Sequence, residues 1–407
     1  MTKTLLFIGG GREALPGVRL ARAMGYRVVV SDRNPQAPCF AEADDHIVAS
    51  TFDVDASVTA AVDFHRHRSP IDGVMCLATD VPLTVASIAE ALHLPGIPVE
   101  VARLAMDKLA MKIKFAGDGV PIPWFSSVES ADHLRNLVAE RDCLLVIKPV
   151  DSRGSRGVLR LEQGVDLEWA YGQAFDHSPT GRVMVEQFLS GPQVSTESIM
   201  LDGVAHTPGF SDRNYEFLDR YAPHFIENGG DLPSHLPQEQ QDAVCRLMQR
   251  AALSLGVENG VVKGDIVVSN GQPHVIELAA RLSGGYFCTH EIPLNVGVST
   301  VQAVIRLALG EPVDPADLRP RFRRGVAQRY LFPEPGRVVA IRGVEAARHL
   351  PGVAEIVMNV GPGDVVGSPT DSNAAAGMLL ATGETREEAV RRVSAAVDTI
   401  VVETEPL

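Results

Sequence analysis

A lysine and a polar loop that contains glycines follow one another in the first half of the chain. Lys148 lies near the end of the apolar segment 143–149, a predicted strand, and the segment 151–158 (DSRGSRGV) comes directly after it. Backbone N–H groups of such a loop can fold around phosphate oxygens, while the lysine supplies positive charge. A strand-end lysine before an ordinary hairpin loop is the plain alternative, but the combination favours a polyphosphate site.

Two carboxylates lie on the two strands of a predicted β-hairpin further along the chain. Asp265 falls in the strand 261–268 and Glu277 in the strand 274–278, with the strong turn signal Asn270-Gly271 between them. Both strands are otherwise apolar, so a carboxylate on each is costly unless a cation lies nearby. Oxygen ligands beside a polyphosphate suit Mg²⁺. Two surface carboxylates are the alternative.

Arg281 and the segment Ser283-Gly284-Gly285 follow this hairpin. They add a guanidinium and backbone amides, which suit a substrate carboxylate or a phosphoryl group in transfer.

The first glycines of the chain support a competing interpretation. The segment 9–14 (GGGREA) fits the pattern G-x-G-x-x-A, and Asp32 stands where a ribose-binding acid belongs. Taken alone, this pattern predicts NAD. A tight strand-to-helix turn needs the same glycines for backbone geometry only, and the nucleotide pattern in the rest of the chain outweighs NAD.

The elements that must position these residues fall into three predicted domains. Residues 1–105 alternate apolar runs with helical patterns, which indicates βαβ units and a parallel sheet. Residues 106–315 combine antiparallel strands with helices, an α+β pattern. The proline-rich segment 310–320 predicts a linker, and residues 316–407 form a predicted α/β domain.

The hydrophobic pattern also gives the individual elements. The predicted strands are 4–8, 27–31, 72–77, 143–149, 183–188, 195–201, 261–268, 274–278, 325–331, 338–341, 353–359 and 378–382. The predicted helices are 13–24, 82–92, 99–116, 238–255 and 386–399.

Composition excludes several classes of protein. The 407 residues contain 51 Asp and Glu against 37 Lys and Arg, a net charge of −14, which argues against a nucleic-acid partner. Five cysteines without a C-x-x-C pair argue against a disulfide framework or a zinc site and favour a cytoplasmic location. The first apolar stretch is too short for a signal peptide, and no apolar run is long enough to predict a membrane partner.

Taken in order, the motifs resemble those of the ATP-grasp superfamily, in particular its carboxylate–amine ligases and the related biotin-carboxylase and carbamoyl-phosphate-synthetase-type domains. The matching segments are MDKLAMK around Lys108, IKPVDSRGSRGV, VEQFLSG, the pair Asp265 and Glu277, and IELAARLSGG. The resemblance covers nearly the whole chain. It implies a Rossmann-like N-terminal domain that does not bind NAD, a two-part ATP-grasp core and a C-terminal α/β domain.

The resemblance implies a role for each matching residue. The residues implied to bind ATP are Lys108, Lys148, Gly154, Ser155, Gly157, Glu186, Gln187, Phe188, Leu189 and Gln193. The lysines would contact phosphates, the glycine loop would close over them, and residues 186–189 would bind adenine through their backbone. Asp265 and Glu277 would hold Mg²⁺, with Mn²⁺ as an alternative, and Arg281 would be catalytic.

Two positions depart from the family pattern. Gln193 stands where a carboxylate usually meets the ribose, and Ala279 stands where an asparagine often adds a metal ligand. The first departure puts ribose affinity in doubt, and the second leaves a metal ion more dependent on water or substrate.

The substrate residues are predicted from weaker patterns. Asp80 follows the predicted strand 72–77, at the sheet edge where ligands gather in open α/β folds. Glu227 lies in a P-x-F-x-E-x-G pattern that resembles the acceptor segment of amino-acid ligases. The full set of predicted substrate-binding residues is Asp80, Arg213, Glu227, Ser283, Gly284 and Gly285.

The predicted activity is an ATP-dependent ligation that activates a carboxylate as an acyl phosphate and joins it to an amine, with amino acids or similar small metabolites as substrates. The alternatives are a carboxylase or carbamoyl-transfer enzyme that uses carboxyphosphate, and a degenerate ATP-binding regulatory protein. Biotin is not expected because the chain has no Met-Lys-Met carrier sequence. The oligomeric state is open, with a homodimer as one option.

Overall fold

The N-terminal region is a parallel sheet flanked by helices. The computed structural model describes residues 2–371 and 374–407. The first elements are β1 (Thr4–Ile8), α1 (Leu15–Ala23), β2 (Arg27–Asp32), β3 (Asp45–Val48), α2 (Val54–His67), β4 (Gly73–Cys76), α3 (Pro82–Ala91) and α4 (Val99–Met106). The strands pair in parallel in the order β3-β2-β1-β4. Every residue of β1 is buried, as expected for a strand covered on both faces, and the Rossmann-like prediction is confirmed.

The predicted helix 99–116 is two helices. Asp107 adopts an extended conformation after α4, and its carboxylate accepts a hydrogen bond from the Ala110 N–H at 2.8 Å, which caps α5 (Lys108–Gly117). The break places Lys108 in the first turn of a new helix, and Lys112 lies one turn further along the same face.

A small antiparallel sheet follows. Its elements are β5 (Phe125–Val128), α6 (Ala131–Glu140), β6 (Leu145–Pro149), β7 (Leu159–Leu161), α7 (Leu167–Asp176) and β8 (Val183–Gln187). The strand order is β5-β8-β6-β7, and both helices pack on the sheet through one apolar cluster.

The rest of the chain builds a second, larger sheet. Its elements are β9 (Gln193–Leu201), β10 (Val204–Arg213), β11 (Gly230–Leu232), α8 (Gln238–Leu255), β12 (Gly260–Ser269), β13 (Gln272–Ala279), α9 (Ile292–Val296), α10 (Thr300–Ala308), β14 (Gly325–Leu331), β15 (Gly336–Arg342), α11 (Val344–Arg348), β16 (Val353–Met358), β17 (Val365–Val366), β18 (Gly377–Gly383), α12 (Arg386–Thr399) and β19 (Val401–Glu405). Eight strands pair in the order β13-β12-β9-β10-β11-β14-β18-β16, and β17-β15-β19 form a separate sheet.

The eight-stranded sheet runs through the predicted boundary near residue 315. Its strands β11 and β14 pair with Leu232 opposite Val326, so strands from both sides of the predicted linker share one sheet. One apolar cluster also contains Leu5, Ile199 and Leu380, which come from the beginning, the middle and the end of the chain. The division into three domains at these boundaries stays a prediction.

The helices of the described part of the chain were also compared with the length of a membrane span. None of them is both long and apolar enough to cross a membrane.

Candidate active site

A cleft of about 320 Å³ lies between the small sheet and the eight-stranded sheet, and it gathers the predicted residues. Those that line it are Asp80, Lys108, Lys148, Gly154, Ser155, Glu186, Gln187, Phe188, Leu189, Gln193, Arg213, Glu227, Asp265, Glu277, Arg281, Ser283, Gly284 and Gly285. Gly157 does not line the cleft. It packs against α7, where an added Cβ would lie 3.0 Å from the Gln173 carbonyl oxygen.

Three buried charges form a cluster beside the cleft, and two of them, Lys148 and Glu186 on the small sheet, line it. Lys148 on β6 pairs with Glu186 on β8, and the Nζ of Lys112 lies 2.7 Å from the other carboxylate oxygen of Glu186. Burial would raise the pKa of Glu186, but the two lysines hold it below its ordinary value. The ionised carboxylate fixes Lys148 at the cleft. No sequence motif singled out Lys112, although its spacing from Lys108 on a helix was the available signal.

Lys108 links the glycine loop to the large sheet. Its Nζ donates a hydrogen bond to the Ser152 carbonyl oxygen at 2.6 Å and lies 3.1 Å from the Glu277 carboxylate. A phosphate group at this point would compete with Glu277 for the lysine.

The glycine loop lies against the N-terminal domain. The guanidinium of Arg153 lies 4.6 Å from the centre of the Phe52 ring, and its Nε is 3.1 Å from the Asp80 carboxylate. Gly154 and Ser155 both have positive φ, +62° and +60°. This conformation is costly for serine, and it lets the loop fold back over the cleft.

Residues 186–189, which the sequence predicts to bind adenine through their backbone, line the cleft at the end of β8. The N–H groups of Gln187 and Phe188 donate to the Trp124 and Leu144 carbonyl oxygens, both at 2.8 Å. The N–H of Leu189 donates to no group of the described residues, so it is the amide in this segment that a base edge can use.

Asp265 and Glu277 stand opposite each other on β12 and β13, and the register shifts immediately after Asp265. Such a bulge re-aims side chains next to functional sites. Asp265 pairs with Lys263 and with Arg213, whose Nη1 is at 2.7 Å. Burial would raise the pKa of Asp265, but these two cations hold it well below its usual range.

The carboxylate pair fits a magnesium ion. Within residues 2–371 and 374–407, three or more His, Cys, Asp or Glu side chains do not cluster as a metal site would require. Mg²⁺ typically takes one or two carboxylates and completes its shell with phosphate oxygens and water, and the side chains of Asp265 and Glu277 in the cleft supply that set.

Asp80 bridges two arginines. Its oxygens lie 3.1 Å from the Nε of Arg281 and 3.1 Å from the Nε of Arg153. Burial would raise the pKa of Asp80, but Arg281 and Arg153 hold it below its ordinary value. Asp80 therefore orients Arg281 in this structure.

Two glutamates hold the segment after Arg281. The Ser283 N–H and hydroxyl donate to the buried Glu197 at 2.8 and 2.5 Å, and the Gly285 N–H donates to Glu13 at 2.6 Å. Sequence analysis missed both glutamates. Glu13 lies in the GGGREA segment, which thus supports the site from the N-terminal domain.

Asp32 stabilises the turn that the NAD interpretation would use. Its carboxylate accepts hydrogen bonds from the Gly10 and Asn34 N–H groups at 2.8 and 2.9 Å. At Gly9, φ is +100° and an added Cβ would lie 2.3 Å from Thr79 Oγ1. The glycines therefore serve the backbone geometry of the turn.

The end of the cleft beyond Arg213 is the predicted substrate end. Arg213 pairs with Glu227, and the cleft here is lined by Tyr215, Phe287, Glu291, Gln328 and Tyr330. None of these five was predicted. They lie far apart along the chain, and contacts such as the pairing of β11 with β14 and the hydrogen bond from Gln328 to the Gly285 carbonyl oxygen bring them together.

Comparisons with known proteins agree with this architecture. Three family models match the chain: the ATP-grasp N-terminal domain over residues 18–96, the ATP-grasp domain over residues 105–285 and the L-amino acid ligase C-terminal domain 2 over residues 329–405. The crystal structure of L-amino acid ligase from Bacillus licheniformis superposes with a TM-score of 0.82 at 22% identity and covers 99% of both chains. That of phosphoribosylglycinamide synthetase from Anaerococcus prevotii gives 0.76 at 18% identity over 100% of both.

Two curated relatives are similar in sequence. The uncharacterized protein y4rH of Sinorhizobium fredii is 28% identical over 334 residues, which are 81% of this chain and 68% of that protein. A D-alanine–D-alanine ligase of Desulforudis audaxviator is 30% identical over 207 residues, which are 48% of this chain and 65% of the relative, slightly less than two thirds of its length.

A cleft between two sheets, with buried lysines on one wall and paired carboxylates on the other, defines an ATP-binding protein of the ligase type. The chain belongs to the ATP-grasp superfamily, as the order of its motifs indicated.

Proposed function

We propose that the protein is an ADP-forming ligase that converts a carboxylate into an acyl phosphate and joins it to an amine, with amino acids as the expected substrate class. The main support is that one cleft holds both kinds of group: lysines and carboxylates for a triphosphate, and beyond Arg281 an acidic end with Glu227 and Glu291.

Phosphoryl transfer depends on position and charge neutralisation. Lys108 and Lys148 would bind the phosphates of ATP while Glu186 keeps Lys148 in place. With Mg²⁺ held by Asp265 and Glu277, the ion would neutralise charge on the transferring group.

Arg281 would orient the substrate carboxylate for attack on the terminal phosphate. Its guanidinium is already fixed by Asp80, and the two glutamates under residues 283–285 keep the neighbouring backbone rigid. A preorganised cation of this kind stabilises charge that develops during transfer.

An acyl phosphate hydrolyses if water reaches it, so the cleft must exclude water after ATP binds. The glycine loop is suited to this because Arg153 ties it to Phe52 and Asp80 of the N-terminal domain.

The test is an ADP-release screen in which carboxylates, with amino acids first, are crossed with amines and with bicarbonate. We expect ADP release that requires both a carboxylate and an amine, and no release by Lys148→Ala. Release with bicarbonate alone would instead support the carboxyphosphate reaction. ATP binding without turnover in any combination would support the degenerate protein.

A further inference from the structure

Glu291 is a buried carboxylate at the substrate end of the cleft for which the proposed ATP chemistry has no use. It ends a π-helical turn, Phe287–Glu291, that follows the glycine segment 283–285. Its side chain lines the cleft although the residue is only 3% exposed. Single π-helical turns are frequent at functional sites.

The carboxylate of Glu291 accepts no hydrogen bond and forms no ion pair with any residue in 2–371 or 374–407. Buried charges normally have such partners. A group that is buried, unpaired and in contact with the cleft is suited to a partner that comes from outside the protein.

The charged groups that face Glu291 do not neutralise it. Glu227 is paired with Arg213, and Arg329 on β14 is paired with Asp231 on β11 at 2.8 Å. Tyr330, also on β14, is a further titratable group that interacts with Glu291. Burial, together with the charges of Glu227 and Asp231, raises the pKa of Glu291 to about 8, against a smaller opposing effect of Arg329.

The second half of a ligase reaction needs a group of this kind. Most amines are ammonium ions at neutral pH, and an ammonium nitrogen has no free electron pair with which to attack an acyl phosphate. A negative pocket attracts the cation, and a base in that pocket removes its proton.

We propose that Glu291 receives the ammonium group of the amine substrate and takes the proton that this group must lose before it attacks the acyl phosphate. The inference rests on the proposed ligase function. It makes Glu291 a catalytic residue of the amine step, and it implies that the amine substrate enters the cleft as a cation.

The protons balance as follows. When the ammonium enters, Glu291 loses to water the proton that it holds in the free protein. The ammonium then gives one proton to the Glu291 carboxylate, and the free amine attacks the acyl carbon. As the C–N bond forms and the bond from carbon to the phosphate oxygen breaks, the second proton leaves the nitrogen and goes to the phosphate. When the products leave, Glu291 keeps this proton and is again protonated, as in the free protein.

Glu227 is the less suitable base of the two. Its carboxylate is already bound to the guanidinium of Arg213, so it is not free to receive an ammonium group. Glu291 has no such cation.

The test compares two nucleophiles in Glu291→Gln. Hydroxylamine is uncharged at neutral pH, so it captures the acyl phosphate as a hydroxamate without a base, whereas an ordinary amine needs one. We expect amide formation to fall by about 100-fold or more while hydroxamate formation stays within about threefold of wild type. Glu258→Gln, at an exposed position that does not line the cleft, is the matched control and should leave both rates unchanged.

An equal loss of both rates, or no loss of amide formation, would overturn the assignment of Glu291. If wild type gives no hydroxamate from any carboxylate, the ligase function itself fails, and the inference with it. The pH profile of wild type is a second readout that does not depend on the folding of the variant: amide formation should lose activity towards acid through an ionisation that hydroxamate formation lacks. Superimposable profiles would contradict the proposal.

Discussion

The buried charges of the cleft neutralise one another before any substrate binds. Glu186 is paired with Lys112 and Lys148, and Asp80 is paired with Arg153 and Arg281. Removing one partner of such a group leaves an uncompensated buried charge, which costs several kcal/mol. The arrangement therefore keeps cations ready for phosphates without leaving them unpaired. Glu291 differs from these groups because its carboxyl group has no ion-pair partner among the described residues.

The phosphate role of Lys148 predicts a selective loss of ATP affinity. In Lys148→Ala, Glu186 keeps Lys112 as a partner, so the fold should survive. We expect Mg-ATP affinity to fall at least tenfold, which is about 1.4 kcal/mol or more, as measured by isothermal titration. Lys114→Ala, which removes an exposed lysine paired with Asp118, is the control and should bind ATP like wild type. Unchanged affinity in the Lys148 variant would reject the assignment.

Glu291 predicts a particular dependence of stability on pH. Its pKa is near the ordinary 4.5 in the unfolded chain and about 8 in the folded protein, so the folded state holds an extra proton between these values. The stability that this extra proton contributes to the folded state is complete below pH 4.5 and disappears as pH rises towards 8. A tenfold change in proton affinity is worth about 1.4 kcal/mol. Relative to wild type, the free energy of unfolding of Glu291→Gln should therefore rise by about 2 kcal/mol or more from pH 5 to pH 8.5. Denaturant unfolding at both pH values measures the free energy of unfolding of the two proteins. The same difference between variant and wild type at both pH values would contradict the prediction.

At the scale of elements, the glycine loop depends on how closely it packs against α7. Gly157 has φ +70°, and an added Cβ would contact the Gln173 carbonyl oxygen and Pro149 at 3.0 Å. Gly157→Ala should therefore destabilise the protein by more than about 1 kcal/mol and weaken ATP binding, because the loop must move. Gly172 lies inside α7 with open space around it, so Gly172→Ala should stabilise by about 0.5–1 kcal/mol. Thermal unfolding compares the two, and equal effects would show that the loop is not held in this way.

The best-predicted elements are those whose signals are local. The helices 238–255 and 386–399 were predicted with the bounds that α8 and α12 have. Thr385 caps the start of α12 by accepting a hydrogen bond from the Glu388 N–H, and Gly256 ends α8 in a left-handed conformation. Both of these helix ends are therefore determined by residues next to them in the sequence.

Non-local features left no comparable signal. The Gly285 N–H donates to Glu13 across 272 positions, and the Tyr330 N–H donates to the Asn228 side-chain oxygen across 102. Motifs with fixed spacing made the ATP-binding residues predictable from the sequence, whereas Glu291 lies in no motif. Its importance follows from what surrounds it, and only the folded chain shows that.

At the scale of the whole molecule, the continuous sheet means that the C-terminal strands complete the core. A chain that ends at residue 315 would expose the edge of β11 and remove Arg329 from Asp231. We expect such a fragment to lack a cooperative unfolding transition, measured by circular dichroism on heating. A folded fragment with the melting temperature of the full chain would instead support an independent C-terminal domain.

The net charge of −14 describes the surface more than the cleft. Lysines and arginines converge on the nucleotide end, while unpaired acid is placed at the substrate end by Glu291. In the proposed reaction, one end of the pocket would hold an anionic nucleotide and the other end a cationic amine.

The central claim is that a carboxylate is activated as an acyl phosphate, and an oxygen label tests it most directly. A substrate carboxylate labelled with ¹⁸O is converted with ATP and amine, and the released phosphate is analysed by mass spectrometry. The account predicts one labelled oxygen in the phosphate for each amide formed, because the attacking carboxylate oxygen leaves with the phosphoryl group. Amide formation with unlabelled phosphate would contradict it.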